Sequence, residues 1–242
     1  MMQTEILENA DAVAKRAAEI IAAAAREAVK ARGRFSMAVS GGHTPWVMLR
    51  LLAAEDVPWP GVDVFQVDER VAPDGDPDRN LTHLRESLLV NAPLPAAQLH
   101  PMPVNDADLN RAAQDYAATL RATCGDPPVL DLVHLGLGPD GHTASLVPHD
   151  PVLGEDFADV GLTQPYQGHR RMTLTYPMIN RARCVLFVVT GSDKIAALAA
   201  LRSGDRNIPA SHVTGQRLVV MADAAAAGSA AQASAQWDRP AT

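Results

Sequence analysis

The sequence predicts an α/β protein, a three-layer sandwich whose mostly parallel sheet carries helices on both faces. Three observations point to it. Apolar runs that read as buried strands alternate with helical stretches along the whole chain. Polar and glycine-rich loops follow several of these runs. No composition break or internal repeat divides the 242 residues. One domain over residues 1–223 is therefore expected, followed by an Ala/Ser/Gln-rich tail over 224–242 that reads as frayed.

Taken in order, residues 5–31 read as an amphipathic helix, with Val13, Ala17, Ile20, Ile21, Ala24 and Ala28 at helical spacing and Gly33 as the stop. Phe35 to Val39 is a strand. Thr44 is a good N-cap and Pro45 suits the first helical position, so a helix is expected to about Ala54. A strand over Val62 to Val67 runs into Asp68-Glu69-Arg70. Residues 71–79 hold two prolines, one glycine and three aspartates and form a loop. A helix over Leu81 to Val90, a short strand near Leu99 to Val104 and a helix over Asp106 to Ala122 follow. Val129 to Leu135 is a buried strand, residues 149–170 are irregular, and Arg171 to Thr175 alternates like a strand. Cys184 to Val189 is a strand ending in Thr190-Gly191-Ser192-Asp193-Lys194 and a helix to about Leu201. Arg217 to Met221 is the last strand.

An apolar fraction of 47% supplies a full core, and 4% aromatics make it aliphatic. A net charge of −7 argues against nucleic acid and acidic membranes, which need a basic face. A small anion needs only a local positive cluster. Cys124 and Cys184 form no CxxC pair and no metal spacing, which suits a reducing cytoplasm. Glu5, Glu8 and Asp11 do not suit a secretory signal, and Ile20 to Ala25 is too short to span a bilayer.

The most informative stretch is Gly136 to Leu146. Three glycines and a proline within six residues break the preceding strand, and His142 sits at the turn. Thr143 and Ser145 suit a helix start, so a reactive strand-to-helix turn is expected. Ser40-Gly41-Gly42-His43-Thr44 also joins a strand to a helix. Its glycines allow close approach of the backbone, and the helix N-terminus attracts an anion such as phosphate. Asp68-Glu69-Arg70 places three charges at a buried strand end, which suits a ligand or a paired network. Arg171 and Lys194 offer a guanidinium fork and a point charge for phosphate oxygens. His142 and His149 lack the spacing of a metal pair, and Ser145 lies in no G-x-S-x-G elbow. As isolated imidazoles, His43, His134, His169 and His212 read as surface or structural groups.

Together these segments resemble the 6-phosphogluconolactonases, within the fold group of glucosamine-6-phosphate deaminase, ribose-5-phosphate isomerase and CoA transferases. Ser40 to Pro45 is similar to that family's SGG-x-TP loop, and Val67 to Arg70 with Asn80 to its VDER…N element. Leu135 to Leu146 is similar to its catalytic signature. Arg171 to Thr175, Gly191-x-x-Lys194 and Ile208 to Ser211 complete the set. A deaminase would carry a GHI-x-FNEP run and a DEY triplet, and neither is present. His43, Arg79 and Val147-Pro148-His149 depart from the family pattern at loop edges.

The resemblance implies hydrolysis of 6-phospho-D-glucono-1,5-lactone, with His142, Asp68 and Arg70 as the catalytic set. It implies that Ser40, Gly41, Gly42, His43, Thr44, Asn80, Gly138, Asp140, Gly141, Arg171 and Lys194 bind substrate and its phosphate. It further implies no metal or organic cofactor, a phosphorylated sugar lactone as partner, and a monomer or weak homodimer. A deaminase or isomerase of the same fold, or a non-catalytic sugar-phosphate sensor, are the other readings.

Overall fold

A computed structural model describes residues 2–228. The elements run β1 (Met2–Leu7), α1 (Ala10–Arg32), β2 (Phe35–Val39), α2 (His43–Ala53), β3 (Val62–Gln66), β4 (Asp68–Arg70), α3 (Asn80–Leu84), β5 (Leu99–His100) and α4 (Leu109–Cys124). They continue β6 (Leu132–Leu135), β7 (Val160–Leu162), β8 (Arg171–Leu174), α5 (Tyr176–Asn180), β9 (Cys184–Val189), α6 (Ile195–Ser203) and β10 (Leu218–Asp223). Seven strands form one parallel sheet in the order β1-β10-β9-β6-β2-β3-β5.

Alternation along these strands splits their side chains between two cores. Phe35, Met37, Val62, Val64, Leu132, Leu186 and Met221 pack with α1 and α2 on one face. Ala38, Phe65, Val133, Phe187 and Val220 pack with α4 and α6 on the other. Both faces are therefore covered, which is why the strands read as continuous apolar runs.

The strand order fixes where a site can form. From β2 the chain moves outward through β3 to β5, then returns to place β6 on the opposite side of β2. The loops leaving β2 and β6 therefore diverge from adjacent strands at the carboxyl edge, opening a crevice between them.

Four expectations change. Residues 2–7 form an edge strand paired with β10, and the helix begins at Ala10 rather than at residue 5. Asn9 is the reason: its side chain accepts the Ala12 N–H at 2.9 Å and caps α1. Arg171–Leu174 joins no parallel sheet but the centre of a separate antiparallel sheet, β4-β8-β7. No helix follows the Gly136–His142 turn. Thr143 and Ser145 are buried, and their hydroxyls bond Gly136 O and the Asp68 carboxylate instead of capping a helix. The stretch from Ala224, expected to be frayed, is ordered at its start, where the Ala224 N–H donates to Leu7 O at 2.8 Å. The rest of that tail lies outside the described residues.

His134 of β6 is a structural group. It is fully buried, its Nδ1 accepts the Ser40 N–H at 3.2 Å, and burial pulls its pKa down to about 3. It holds the start of the β2 exit loop against β6.

Candidate active site

The β2 exit is a glycine turn at the start of α2. Gly42, at φ +124°, is the N-cap residue of α2, a conformation that favours glycine. No side chain caps this helix. Thr44, expected to cap it, is instead inside the first turn, and its hydroxyl meets that of Thr190 at 2.7 Å. That contact joins the β2 exit to the β9 exit. Uncapped first-turn N–H groups at a glycine turn form the arrangement that receives phosphate oxygens. Gly41 needs to be glycine because a Cβ there would collide with the Asn80 side chain.

The β3 exit runs straight into β4, whose alternation sorts three consecutive charges. Asp68 and Arg70 line the cavity, whereas Glu69 points away into the protein and is wholly buried. Glu69 accepts the backbone N–H groups of Arg70, Asn80 and Leu81, each at 2.8 Å, and pairs with Arg79 Nε at 3.1 Å. Arg79, a departure from the family pattern, is thus the countercharge of a structural carboxylate. Asn80 donates to the Asp68 carbonyl at 3.0 Å and accepts from Arg70 Nη1 at 3.3 Å.

Asp68 accepts the Ser145 hydroxyl at 2.6 Å. Burial raises its pKa above the usual carboxylate value, and the opposing pull of Ser145, Arg171 and Arg70 does not offset this. A raised folded-state pKa means that the folded protein binds this proton more tightly than the unfolded chain. The resulting stability is present below the unfolded pKa and is lost as pH rises through the folded value. At neutral pH the ionised Asp68 is therefore a cost to the fold. Asp68→Asn should keep or raise the thermal midpoint at about pH 7.5 while lowering turnover by about tenfold or more. Paired melting curves and rate measurements check this, and a midpoint that falls would contradict it.

The β6 exit carries His142. Gly138 N–H donates to His142 O at 2.8 Å and Gly141 N–H to Gly138 O at 2.9 Å, closing the turn. His142 Nδ1 lies 2.6 Å from Asp140 Oδ1, and the Tyr166 hydroxyl donates to Asp140 Oδ2 at 3.2 Å. Burial acts to raise the Asp140 pKa, but the His142 charge and the bonds from His142 and Tyr166 outweigh it and hold the carboxyl below its ordinary value. Gly138 lines the cavity, and a Cβ on it would strike the His142 ring and Asp140. Gly141, at φ +80°, packs against Ile208. Asp140 and Gly141, expected to touch substrate, do not line the cavity: the turn aims them behind His142, not past it.

Arg171 reaches the cavity from the second sheet, opposite Arg70 in the β4–β8 register. Burial lowers its pKa and Asp68 opposes that shift. Lys194 sits in the turn before α6, lines the cavity and pairs with Asp193 at 2.8 Å.

The cavity is about 430 Å³. Ser40, Gly41, Gly42, His43, Thr44, Asp68, Arg70, Asn80, Gly138, His142, Arg171 and Lys194 all line it. Sequence reasoning missed Tyr166, which falls in the stretch read as irregular. It also read Ser145 as a helix-start residue, whereas this side chain links Asp68 to Arg171 (Nη1 at 3.5 Å). Trp46 and Thr190 are further wall residues that it did not single out. Among the described residues, no group of three His, Cys, Asp or Glu side chains is arranged to hold a metal.

Residues 8–221 match the family described as glucosamine-6-phosphate isomerases/6-phosphogluconolactonase. The chain is 38% identical over 205 residues to a 6-phosphogluconolactonase of Synechocystis sp., covering 82% of this chain and 84% of that protein. It is 36% identical over 226 residues to the 6-phosphogluconolactonase of Mycobacterium tuberculosis, covering 88% and 92%. The solved 6-phosphogluconolactonase structure from Thermotoga maritima superposes with a TM-score of 0.83 at 26% identity, covering 92% of this chain and all of that one.

Proposed function

The chain belongs to the glucosamine-6-phosphate isomerase/6-phosphogluconolactonase family, and on that premise we propose that it opens 6-phospho-D-glucono-1,5-lactone to 6-phospho-D-gluconate with His142 as general base. It is a hydrolase of the pentose phosphate pathway. The observation that carries the assignment of the base is the Asp140–His142 pair, which faces the glycine cradle and two arginines across one cavity.

With Asp140 accepting Nδ1–H, the imidazole keeps Nε2 free to take a proton. A water attacks the lactone carbonyl carbon, and its proton passes to Nε2. The tetrahedral oxyanion collapses, the bond to the ring oxygen breaks, and the imidazolium returns the proton to that oxygen. Arg70 offsets the charge that develops. Asp68, held by Ser145, orients a substrate hydroxyl. Gly41, Gly42, Thr44, Arg171 and Lys194 hold the phosphate, and His43 at the first turn of α2 flanks it. The lactone is already electrophilic, so no metal or organic cofactor enters.

The protein works in the cytoplasm as a monomer or weak homodimer and does not bind nucleic acid. Supporting this, its net charge is −7, both cysteines are free, and among the described residues the exposed large apolar side chains are Ile6, Leu51, Val90, Phe157 and Ile195. Among the described residues, no helix is long and apolar enough to cross a membrane. The deciding experiment makes lactone in situ from glucose 6-phosphate and compares its decay with the spontaneous rate. A decay no faster than the spontaneous one would overturn the reading, and ammonia released from glucosamine 6-phosphate would favour a deaminase.

A further inference from the structure

We propose that Tyr166 is a positioning residue that fixes the base and the buried arginine of the site together, from a turn that no sequence motif marks. This rests on the reading of His142 as the base.

Tyr166 and His169 close a two-residue turn through reciprocal backbone bonds, Tyr166 N–H to His169 O at 2.9 Å and His169 N–H to Tyr166 O at 3.3 Å. Gln167 (φ +51°) and Gly168 (φ +85°) at its tip are both left-handed. A glutamine in that region is a local strain that its surroundings must hold. Here the Gln167 side chain is used: Oε1 accepts from Arg171 Nη2 at 3.3 Å. His169 anchors the turn at its far side, 3.1 Å from Asp78 Oδ2.

From this anchored turn Tyr166 touches both halves of the site. Its hydroxyl donates to Asp140 Oδ2 while Asp140 Oδ1 holds His142 Nδ1. Its ring stands edge-on to the imidazole, with centroids 5.7 Å apart. The Arg171 guanidinium lies 5.1 Å from the ring centroid, a cation–π contact. Arg171 Nε is buried without a hydrogen-bond partner, and the ring, Gln167 and Ser145 are what the rest of this guanidinium touches. The charged groups that share the cavity with the imidazole are Asp68, Arg70, Arg171 and Lys194, and Asp140 holds its Nδ1.

The two functions separate by substitution. Tyr166→Phe keeps the ring and removes the hydroxyl. Asp140 then concentrates its charge on Nδ1–H and favours the imidazolium, so the base stays protonated to higher pH. Tyr166→Leu removes the ring from beneath Arg171 as well.

The test uses the purified full chain and measures kcat, KM and the pH profile of kcat/KM with lactone made in situ. Tyr166→Phe should lower kcat by about 3–10-fold, leave KM within about twofold, and move the acid limb to higher pH. Tyr166→Leu should add a rise in KM of about fivefold or more. In an Asp140→Asn background, Tyr166→Phe should change kcat no further, because both act on one imidazole. Tyr166→Phe with the parent's kcat and acid limb, or additive effects with Asp140→Asn, would overturn the proposal. If His142→Ala is itself active, the assignment of the base fails. If His142→Ala is inactive and Tyr166→Phe is unchanged, only the role of Tyr166 fails.

Discussion

His142→Ala should lower kcat by about 10²–10⁴-fold, the usual loss when a general base is removed, and leave the fold intact. The imidazole sits on a turn, is about one-fifth exposed, and bonds the Asp140 side chain. Truncating it leaves Asp140 held by Tyr166, so no buried group loses its last partner. The thermal midpoint should therefore stay close to the parent's while turnover of fresh lactone approaches the spontaneous rate. A variant that folds and turns over at near the parental rate would remove His142 from the mechanism.

The phosphate should govern specificity just as strongly. A chain of net charge −7 repels anions at long range, so on the proposed reading affinity for a phosphorylated sugar rests on the local cradle at Gly41 and Gly42 with Arg171 and Lys194. Unphosphorylated gluconolactone forgoes those charge-assisted bonds and the alignment of its carbonyl with the water on His142. The preference in kcat/KM for the phosphorylated lactone should reach about 10²-fold, or about 2.7 kcal/mol. Arg171→Ala and Lys194→Ala should each erode it by raising KM for the phosphorylated substrate while hardly touching the other. Equal kcat/KM for the two lactones in the parent protein would refute the phosphate cradle even with hydrolysis established.

The parallel sheet was legible because burial on both faces removes polar alternation from its strands, as in Cys184 to Val189. The edge strand at residues 2–7 was not. It is half exposed, and the helix expected from residue 5 ran through it, past the cap that Asn9 provides. The groups that line the cavity were legible where they follow strand ends, because one parallel edge gathers them. Tyr166 and Ser145 were not, because their partners lie far off in the chain: Ser145 reaches a carboxylate 77 residues earlier. No local pattern encodes such a distance. The same limit hid the second sheet, whose strands are three or four residues long.

The alternation of β4 also bears on how such a chain can vary over generations. Asp68 and Arg70 face the cavity only because Glu69 lies between them and turns the other way. A single codon inserted or deleted before this strand would exchange the two sides, presenting Glu69 to the cavity and driving Asp68 and Arg70 toward the place that Arg79 and the Asn80 and Leu81 amides now fill. A change of two codons would keep the alternation of sides but, with only Val67 between β3 and β4, would move Asp68 and Arg70 along the strand and out of their bonds to Ser145 and Asn80. Length through Val67 to Arg70 is therefore constrained, and so is the far end of the loop of residues 71–79, where Asp78 meets His169 and Arg79 pairs with Glu69.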